Sequence, residues 1–234
     1  MTAAAVVVAT LVSYAVSLAI GIPLLVPVLN TLASYPFMLS ALRRGRSREA
    51  VLLMLLWALS MGVCATLIAY AAPWRAGAIF LRGDAYRAEM FAWILTGRGA
   101  ESTPSQFIPQ QAGHAALFVG LALVTAGTLA MPMGAVLMNY MGTYVGSLAA
   151  ASQHPATALL LGWHPWAVIR VASFVGLGVV LSAVLLSRLL GFRLDWRFGR
   201  RVIAFAVCGL IFDVALKAAL APAWQRLLLR VTGW

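Results

Sequence analysis

Few residues of this chain combine an ionisable side chain with a place inside a long apolar run. Asp213 and Lys217 lie four residues apart in the run 202–221, and Arg170 lies near the start of the run 166–190. An ionised group in the hydrocarbon layer costs about 2.5–3.5 kcal/mol on insertion scales, so it normally faces protein or water and has a partner. Two residues could pair with Asp213: Lys217, one helical turn away, and Arg170 in the run 166–190.

Three uses of these ionisable groups follow from their chemistry. An ion pair would hold two helices together, and a relay would move protons or ions or bind an anion. Alternatively, Lys217 extends alone toward the membrane surface, with its stem in the apolar layer and its charge in water.

The three histidines and one acidic residue form a second candidate set. They are His114, His154, His164 and Glu101, and the helix arrangement derived below places all of them near one membrane face. Imidazole and carboxylate groups bind zinc, iron or copper, and imidazole alone can hold a tetrapyrrole such as haem. Histidine also suits acid–base chemistry because its unperturbed pKa is about 6.5. No pair has H-x-x-x-H spacing, so a metal or tetrapyrrole site, an acid–base site and histidines without a chemical role all stay open.

The stretch GAESTPSQFIPQQAGH, residues 99–114, places hydroxyl groups and a carboxylate ahead of a histidine. It contains neither the G-x-S-x-G nor the S-x-x-K pattern of known nucleophilic serines. We expect Ser102 or Thr103 to cap a short helix instead. The sequence also has no glycine-rich phosphate loop or dinucleotide fingerprint. It therefore favours a protein without enzymatic activity and leaves a membrane-embedded enzyme open.

Composition indicates that membrane helices position these residues. The chain has 234 residues, of which 63% are hydrophobic and 10% are charged, whereas an ordinary soluble domain is about 45–50% apolar and about 25% charged. So few charged residues cannot cover the outside of a soluble fold. The net charge of +11 comes mainly from arginines between apolar runs, where they set membrane orientation and contact anionic lipid headgroups. No motif of a nucleic-acid partner is present.

The apolar runs predict an all-α fold, a polytopic transmembrane helix bundle that forms a single integral membrane domain, residues 1–234. The runs 3–42 and 112–153 have no acidic or basic residue except His114, and each can cross twice or re-enter. The expected number of spans is about six to seven, with a range of about five to seven. The predicted spans are about 3–21, 23–42, 50–72, 112–131, 133–153, 166–190 and 202–221.

The connection 73–111 is the one long polar segment, and it contains the sequence DAYRAEMFAWILTG. Asp84 is the expected N-cap of a short helix, and Gly97 can end it. The residues Met90 and Ile94 lie on one side of that helix together with neighbouring apolar residues. This pattern predicts a short interfacial helix that lies on the membrane surface.

Arginine placement predicts the orientation of the chain. Residues 43–48 carry four arginines and residues 188–201 carry five, so the loops 43–48 and 191–201 should be cytoplasmic and the loop 73–111 extracytoplasmic. High alanine and arginine content with little lysine favours a bacterial source and its inner membrane. The tryptophans expected at the outer interface are Trp74, Trp93, Trp163, Trp166 and Trp224.

Small and polar residues inside the spans predict close helix packing. Gly142 with Gly146, and Gly178 with Ser182, have the small-xxx-small spacing that lets helix backbones approach each other in lipid. Asn139 is expected to donate or accept a hydrogen bond across helices.

Three functional hypotheses follow. The leading one is a non-enzymatic subunit, a scaffold or permease-like component of a membrane complex, with other membrane proteins or further copies of itself as partners. The second is a small-solute or proton-coupled transporter that uses the three ionisable groups of the last two spans. The third is a membrane-embedded enzyme or cofactor-binding protein that uses the outer histidines and Glu101.

Overall fold

The computed structural model describes residues 2–234, and throughout this range the only regular secondary structure is α-helix. The all-α helical bundle predicted from the sequence is therefore confirmed. The ten helices of the described chain are α1 (Thr2–Ile20), α2 (Leu25–Arg43), α3 (Ser47–Ala71), α4 (Pro73–Ile79), α5 (Gly83–Thr96), α6 (Pro104–Val124), α7 (Ala130–Ala150), α8 (Pro155–Gly162), α9 (Pro165–Leu190) and α10 (Trp196–Thr232).

Six of these helices, α1, α2, α3, α6, α9 and α10, are long and apolar enough to cross a membrane. The chain is therefore a multi-pass membrane protein. Helix α7 is not one of the six, but it is the most enclosed helix and is buried almost continuously from Met138 to Ala149. Its polar residues, such as Thr143, thus face protein rather than lipid, which is how polar groups are accommodated at membrane depth.

The two uncharged runs each form two helices. Between α1 and α2 the chain turns at Gly21, which has a φ of 75° that favours glycine. Helix α6 begins at Pro104, earlier than the predicted 112, because a proline in the first turn needs no backbone hydrogen-bond partner. The turn between α6 and α7 includes Gly127, with a φ of 85°.

The last helix is longer than predicted. Helix α10 has 37 residues, which corresponds to about 55 Å at 1.5 Å per residue, and it exceeds a ~30 Å hydrocarbon layer. The predicted span 202–221 is its middle part. The Asp195 carboxylate caps the helix by accepting a hydrogen bond from the Phe198 backbone amide at 3.0 Å.

Helices α3 and α7 meet along a seam of small residues, here called the α3–α7 seam. A Cβ atom at Gly142 would overlap Ala65, and one at Gly146 would overlap the backbone of Thr66 and the side chain of Ala69. The two backbones thus touch where the sequence has its small-xxx-small spacing. At the second such pair, Gly178 contacts Phe118 of α6, and Ser182 lies against Gly127.

Hydrogen bonds between buried side chains join the first helices to this seam. The Tyr14 hydroxyl of α1 donates to Asn139 Oδ1 of α7, and it lies 3.3 Å from the Met61 carbonyl oxygen of α3. The Ser13 hydroxyl donates to Asn30 Oδ1 of α2 at 2.6 Å. Asn139 thus makes a hydrogen bond across helices.

The short helix predicted after residue 83 is α5, and Gly97 ends it in the left-handed conformation with a φ of 68°. The predicted N-cap was wrong by two residues: Arg82 occupies that position and Asp84 lies in the first turn. Met90 and Ile94 are completely buried in a cluster with residues of α7. These two side chains therefore contact protein, although the sequence pattern placed them against the membrane surface.

Candidate functional site

A cavity of about 400 Å³ lies among α6, α7, α9 and α10, with α3 on its inner side. This volume lies within the ~300–1,000 Å³ range of small-molecule sites. Space remains because α6 and α10 both pack on α9 and scarcely on each other. Methionine side chains are flexible and adapt to ligands of irregular shape. The methionine and phenylalanine residues on the wall are Met38, Met54, Met61, Met131, Met138, Met141, Phe107, Phe118 and Phe174.

The first of two ion pairs on the cavity wall joins α9 to α10. Arg170 donates from Nε to Asp213 Oδ2 and from a terminal nitrogen to Asp213 Oδ1, both at 2.9 Å. This two-pronged geometry is the strongest form of arginine–carboxylate contact. The Asp213 side chain is only 2% exposed, whereas 26% of the Arg170 side chain is still accessible.

The second ion pair joins α10 to the connection between α5 and α6. Lys217 Nζ donates to Glu101 Oε1 at 2.8 Å, and it also lies 4.6 Å from the centre of the Phe107 ring, where a cation–π contact adds to the attraction. Lys217 is one turn from Asp213, yet each of them pairs with a residue of another segment. Four charges thus converge on one end of the cavity.

Opposing effects act on the Glu101 carboxyl. Burial, the largest single effect, raises its pKa. The positive charge of Lys217, the influence of His164, the hydrogen bond from Lys217 and the charge of Arg170 together outweigh burial, so the net pKa lies below its ordinary value. The carboxylate is therefore the stable form of Glu101 at neutral pH.

His164, which precedes α9, is buried in a cluster of aromatic rings. Its ring stacks on Trp166 at 4.7 Å between centroids and makes edge contacts with Trp93 and Trp224. Its Nε2 lies 3.3 Å from the Tyr144 hydroxyl. Burial lowers the pKa of His164 to about 4, against an opposing effect from Glu101, so the imidazole is neutral at pH 7.

The other histidines occupy different surroundings. His114 lies on α6 and lines the cavity, as do Glu101 and His164, whereas His154 is exposed just before α8. Across residues 2–234, no three or more His, Cys, Asp or Glu side chains form a group that could hold a metal ion. The structure thus brings three of the four candidate ligands to one cavity but does not gather them into a metal centre.

Two further cavity residues have polar atoms without a partner. In the described chain, seven buried side-chain nitrogen or oxygen atoms make no hydrogen bond, and three of them are Trp57 Nε1 and both amide atoms of Gln111. Both residues line the cavity. Leaving a buried polar group unpaired costs about 1–3 kcal/mol, and a ligand in the cavity would supply the missing partners. The other four atoms belong to Asn30, Thr66, Trp93 and Ser147.

Sequence reasoning missed Trp57 and Phe107 as site residues because Trp57 lies in an ordinary apolar run and Phe107 is an isolated aromatic residue of a polar segment. Only the packing of α3 and α6 turns them toward the cavity. The position of Gln111 gives a weak indication of the site, since an amide so close to an apolar run needs a hydrogen-bond partner.

The fold and the site together define a class, the multi-pass helical membrane proteins with an internal charged cavity. Comparison with known proteins takes the assignment no further: no family model, no curated protein and no solved structure matches the chain.

Proposed function

We propose that this protein is a membrane ligand-binding protein of the permease type, which admits a small amphipathic molecule to its cavity. One observation carries the proposal: an apolar cavity of about 400 Å³ ends against two buried ion pairs. Ionised groups at membrane depth are costly and commonly mark substrate or ion pathways. This proposal develops the transporter hypothesis, with Asp213, Lys217 and Arg170 at the polar end of the site.

The ligand enters from the lipid between α6 and α10. Ile108 on α6 and Ile211 on α10 line the cavity, yet 44% and 66% of their surfaces are accessible from outside. An apolar tail can therefore pass between α6 and α10 without crossing a polar barrier, while the polar head moves toward Lys217.

A photoactivatable dodecyl diazirine in lipid nanodiscs tests binding at the cavity. We expect cross-links to concentrate on cavity residues such as Met138, and we expect Gly134→Leu to remove them by filling the space. The matched control is Gly120→Leu, since a side chain at Gly120 meets nothing within 4 Å. Labelling spread evenly over α1 and α6, and unchanged by Gly134→Leu, would contradict the proposal.

Transport is tested separately by flux into proteoliposomes. A relay through the Arg170–Asp213 pair predicts that Asp213→Asn lowers the flux of a ligand that still binds. Flux equal to that of the unmodified protein would remove the relay role from Asp213.

We further infer that the protein resides in a bacterial inner membrane, with the loops 43–48 and 191–201 in the cytoplasm and the loop 73–111 on the other side. The arginine clusters support this orientation, and anionic lipid headgroups are their expected partners. Single cysteines at Gly45 and Ser105, in a background without Cys64 and Cys208, test it. Labelling of both positions from the same side of intact cells would overturn the orientation.

The leading sequence hypothesis, a scaffold or subunit of a membrane complex, stays a prediction from the absence of a catalytic motif. Co-purification of the native protein with partners in fixed stoichiometry would support it. A stable isolated protein that binds ligand and supports full flux would favour the permease instead.

A further inference from the structure

We propose that the ligand of this cavity carries an anionic, oxygen-rich head, a carboxylate or a phosphate, on a single apolar chain, and that this head competes with Glu101 for Lys217. The proposal rests on the function proposed above and deepens it by naming the substrate class.

The hydrogen-bonding groups that line the cavity favour a ligand head group that is rich in acceptors. Arginine has five N–H donors and lysine has three, whereas Arg170 uses two on Asp213 and Lys217 uses one on Glu101. Trp57 adds an unpartnered donor, and Gln111 adds an unpartnered amide whose nitrogen donates and whose oxygen accepts. Both oxygens of Asp213 are already occupied. The unused N–H groups of Arg170 and Lys217, together with that of Trp57, thus suit a carboxylate or phosphate head.

The two ion pairs differ in how readily an incoming anion can replace the carboxylate. Asp213 lies within a helix and accepts two hydrogen bonds from Arg170. Glu101 lies in the connection between α5 and α6 and accepts one hydrogen bond from Lys217. Its side chain is still 12% exposed, so it can turn toward water once released. Lys217 is therefore the cation at which an incoming anion binds.

The apolar part of the cavity indicates one chain. Its volume of about 400 Å³ is near the lower end of the ~300–1,000 Å³ range of ligand sites. That space accommodates a single short chain beside Met138 and Phe118 and is too small to enclose both acyl chains of a bilayer phospholipid.

A competition series on the unmodified protein tests the head group. Lauric acid, dodecyl phosphate, dodecanol and dodecyltrimethylammonium share one chain length and compete with the photoactivatable dodecyl diazirine in nanodiscs. We expect the two anions to compete at least tenfold better than the alcohol and the cation. Equal competition by dodecanol or by the cation would overturn the anionic head while leaving the proposed function intact, whereas no competition by any of them would contradict the proposed function itself.

Soluble anions distinguish an amphiphile from a free ion. Acetate and inorganic phosphate are expected not to compete at concentrations at which lauric acid does. Competition by either one at equal concentration would overturn the single-chain amphiphile.

Variants of the second pair test the place of binding. Glu101→Gln removes the competing carboxylate and should strengthen lauric acid binding several-fold with no such gain for dodecanol. Lys217→Met, together with Glu101→Gln so that no charge is left unpaired, should remove the preference for anions. The matched control is Arg226→Met on the exposed side of α10, which should keep that preference. A preference for anions that survives Lys217→Met would overturn the assignment to Lys217.

Discussion

The α3–α7 seam and the cavity among α6, α9 and α10 join helices in opposite ways. In the seam, glycines let two backbones touch, and no charged side chain takes part. Around the cavity, α6 and α10 stand apart, and long charged side chains bridge between segments. The first arrangement stabilises the fold by contact, because helix association in lipid depends on close packing.

The second arrangement carries a cost that close packing does not. Buried ion pairs are often no more stabilising than apolar residues of similar volume, because desolvation offsets their attraction. Charged side chains that stabilise the fold no better than apolar residues would, and that surround an open cavity, are typical of a ligand site. The comparison thus separates residues that hold the bundle together from residues that are available for function.

The largest expected effect comes from breaking one buried pair. Asp213→Ala leaves the Arg170 guanidinium without its carboxylate and should lower the free energy of unfolding by about 3–5 kcal/mol. The double variant Asp213→Met with Arg170→Met should recover most of that loss but abolish flux. Unfolding in detergent measures the stability, and Glu89→Gln at an exposed site is the control. A double variant as unstable as Asp213→Ala would mean that the pair mainly holds the fold together.

Acidification tests the aromatic cluster beside the cavity. Because the folded pKa of His164, about 4, lies below its ordinary 6.5, the stability it contributes is present above pH 6.5 and is lost as pH falls toward 4. The full loss is up to about 3 kcal/mol, at 1.36 kcal/mol per pKa unit. The charged groups near this histidine are Glu101, Lys217 and Arg170.

The variant His164→Gln should flatten the fall in stability between pH 6.5 and 4, when melting is measured across that range. Exposed His154→Gln is the matched control and should keep the slope. Identical slopes for both variants would show that His164 is not buried in the neutral form.

Overpacking tests the seam. Gly146→Ala places a methyl group against the Thr66 backbone and Ala69, which should lower the free energy of unfolding by about 1–3 kcal/mol. Gly120→Ala on α6 meets no atom within 4 Å, so its effect should be smaller than about 0.5 kcal/mol. Equal effects of the two substitutions, measured by unfolding in detergent, would contradict close backbone contact at the seam.

Much of the bundle follows from local sequence because uncharged length and arginine clusters report directly on crossing a membrane. The cavity does not follow in this way. Arg170 and Asp213 could be considered as a pair from the sequence because they lie at similar depths in two successive spans. Lys217, in contrast, pairs with Glu101, 116 positions away. No periodicity of the sequence encodes such a contact.

Aromatic residues show the same limit. Trp93 and Trp166 were predicted at the lipid interface because they lie near the ends of spans. Only 1% of the surface of each is accessible, and both pack around His164. Short connecting helices fold back over α7 here, so proximity to a span end does not imply contact with lipid.

The most direct test uses the fact that Lys217 is the only lysine of the chain. Isotope labelling of lysine therefore gives a single Nζ signal in solid-state NMR of the protein in lipid, and lauric acid with a labelled carboxyl carbon supplies the second nucleus. A ligand site at the ion pairs predicts a dipolar coupling between the labelled carboxyl carbon and Nζ, of the size expected for a hydrogen-bonded carboxylate. Gly134→Leu should abolish this coupling. A carboxyl signal with no coupling to Nζ at saturating lauric acid would contradict a ligand site at the ion pairs.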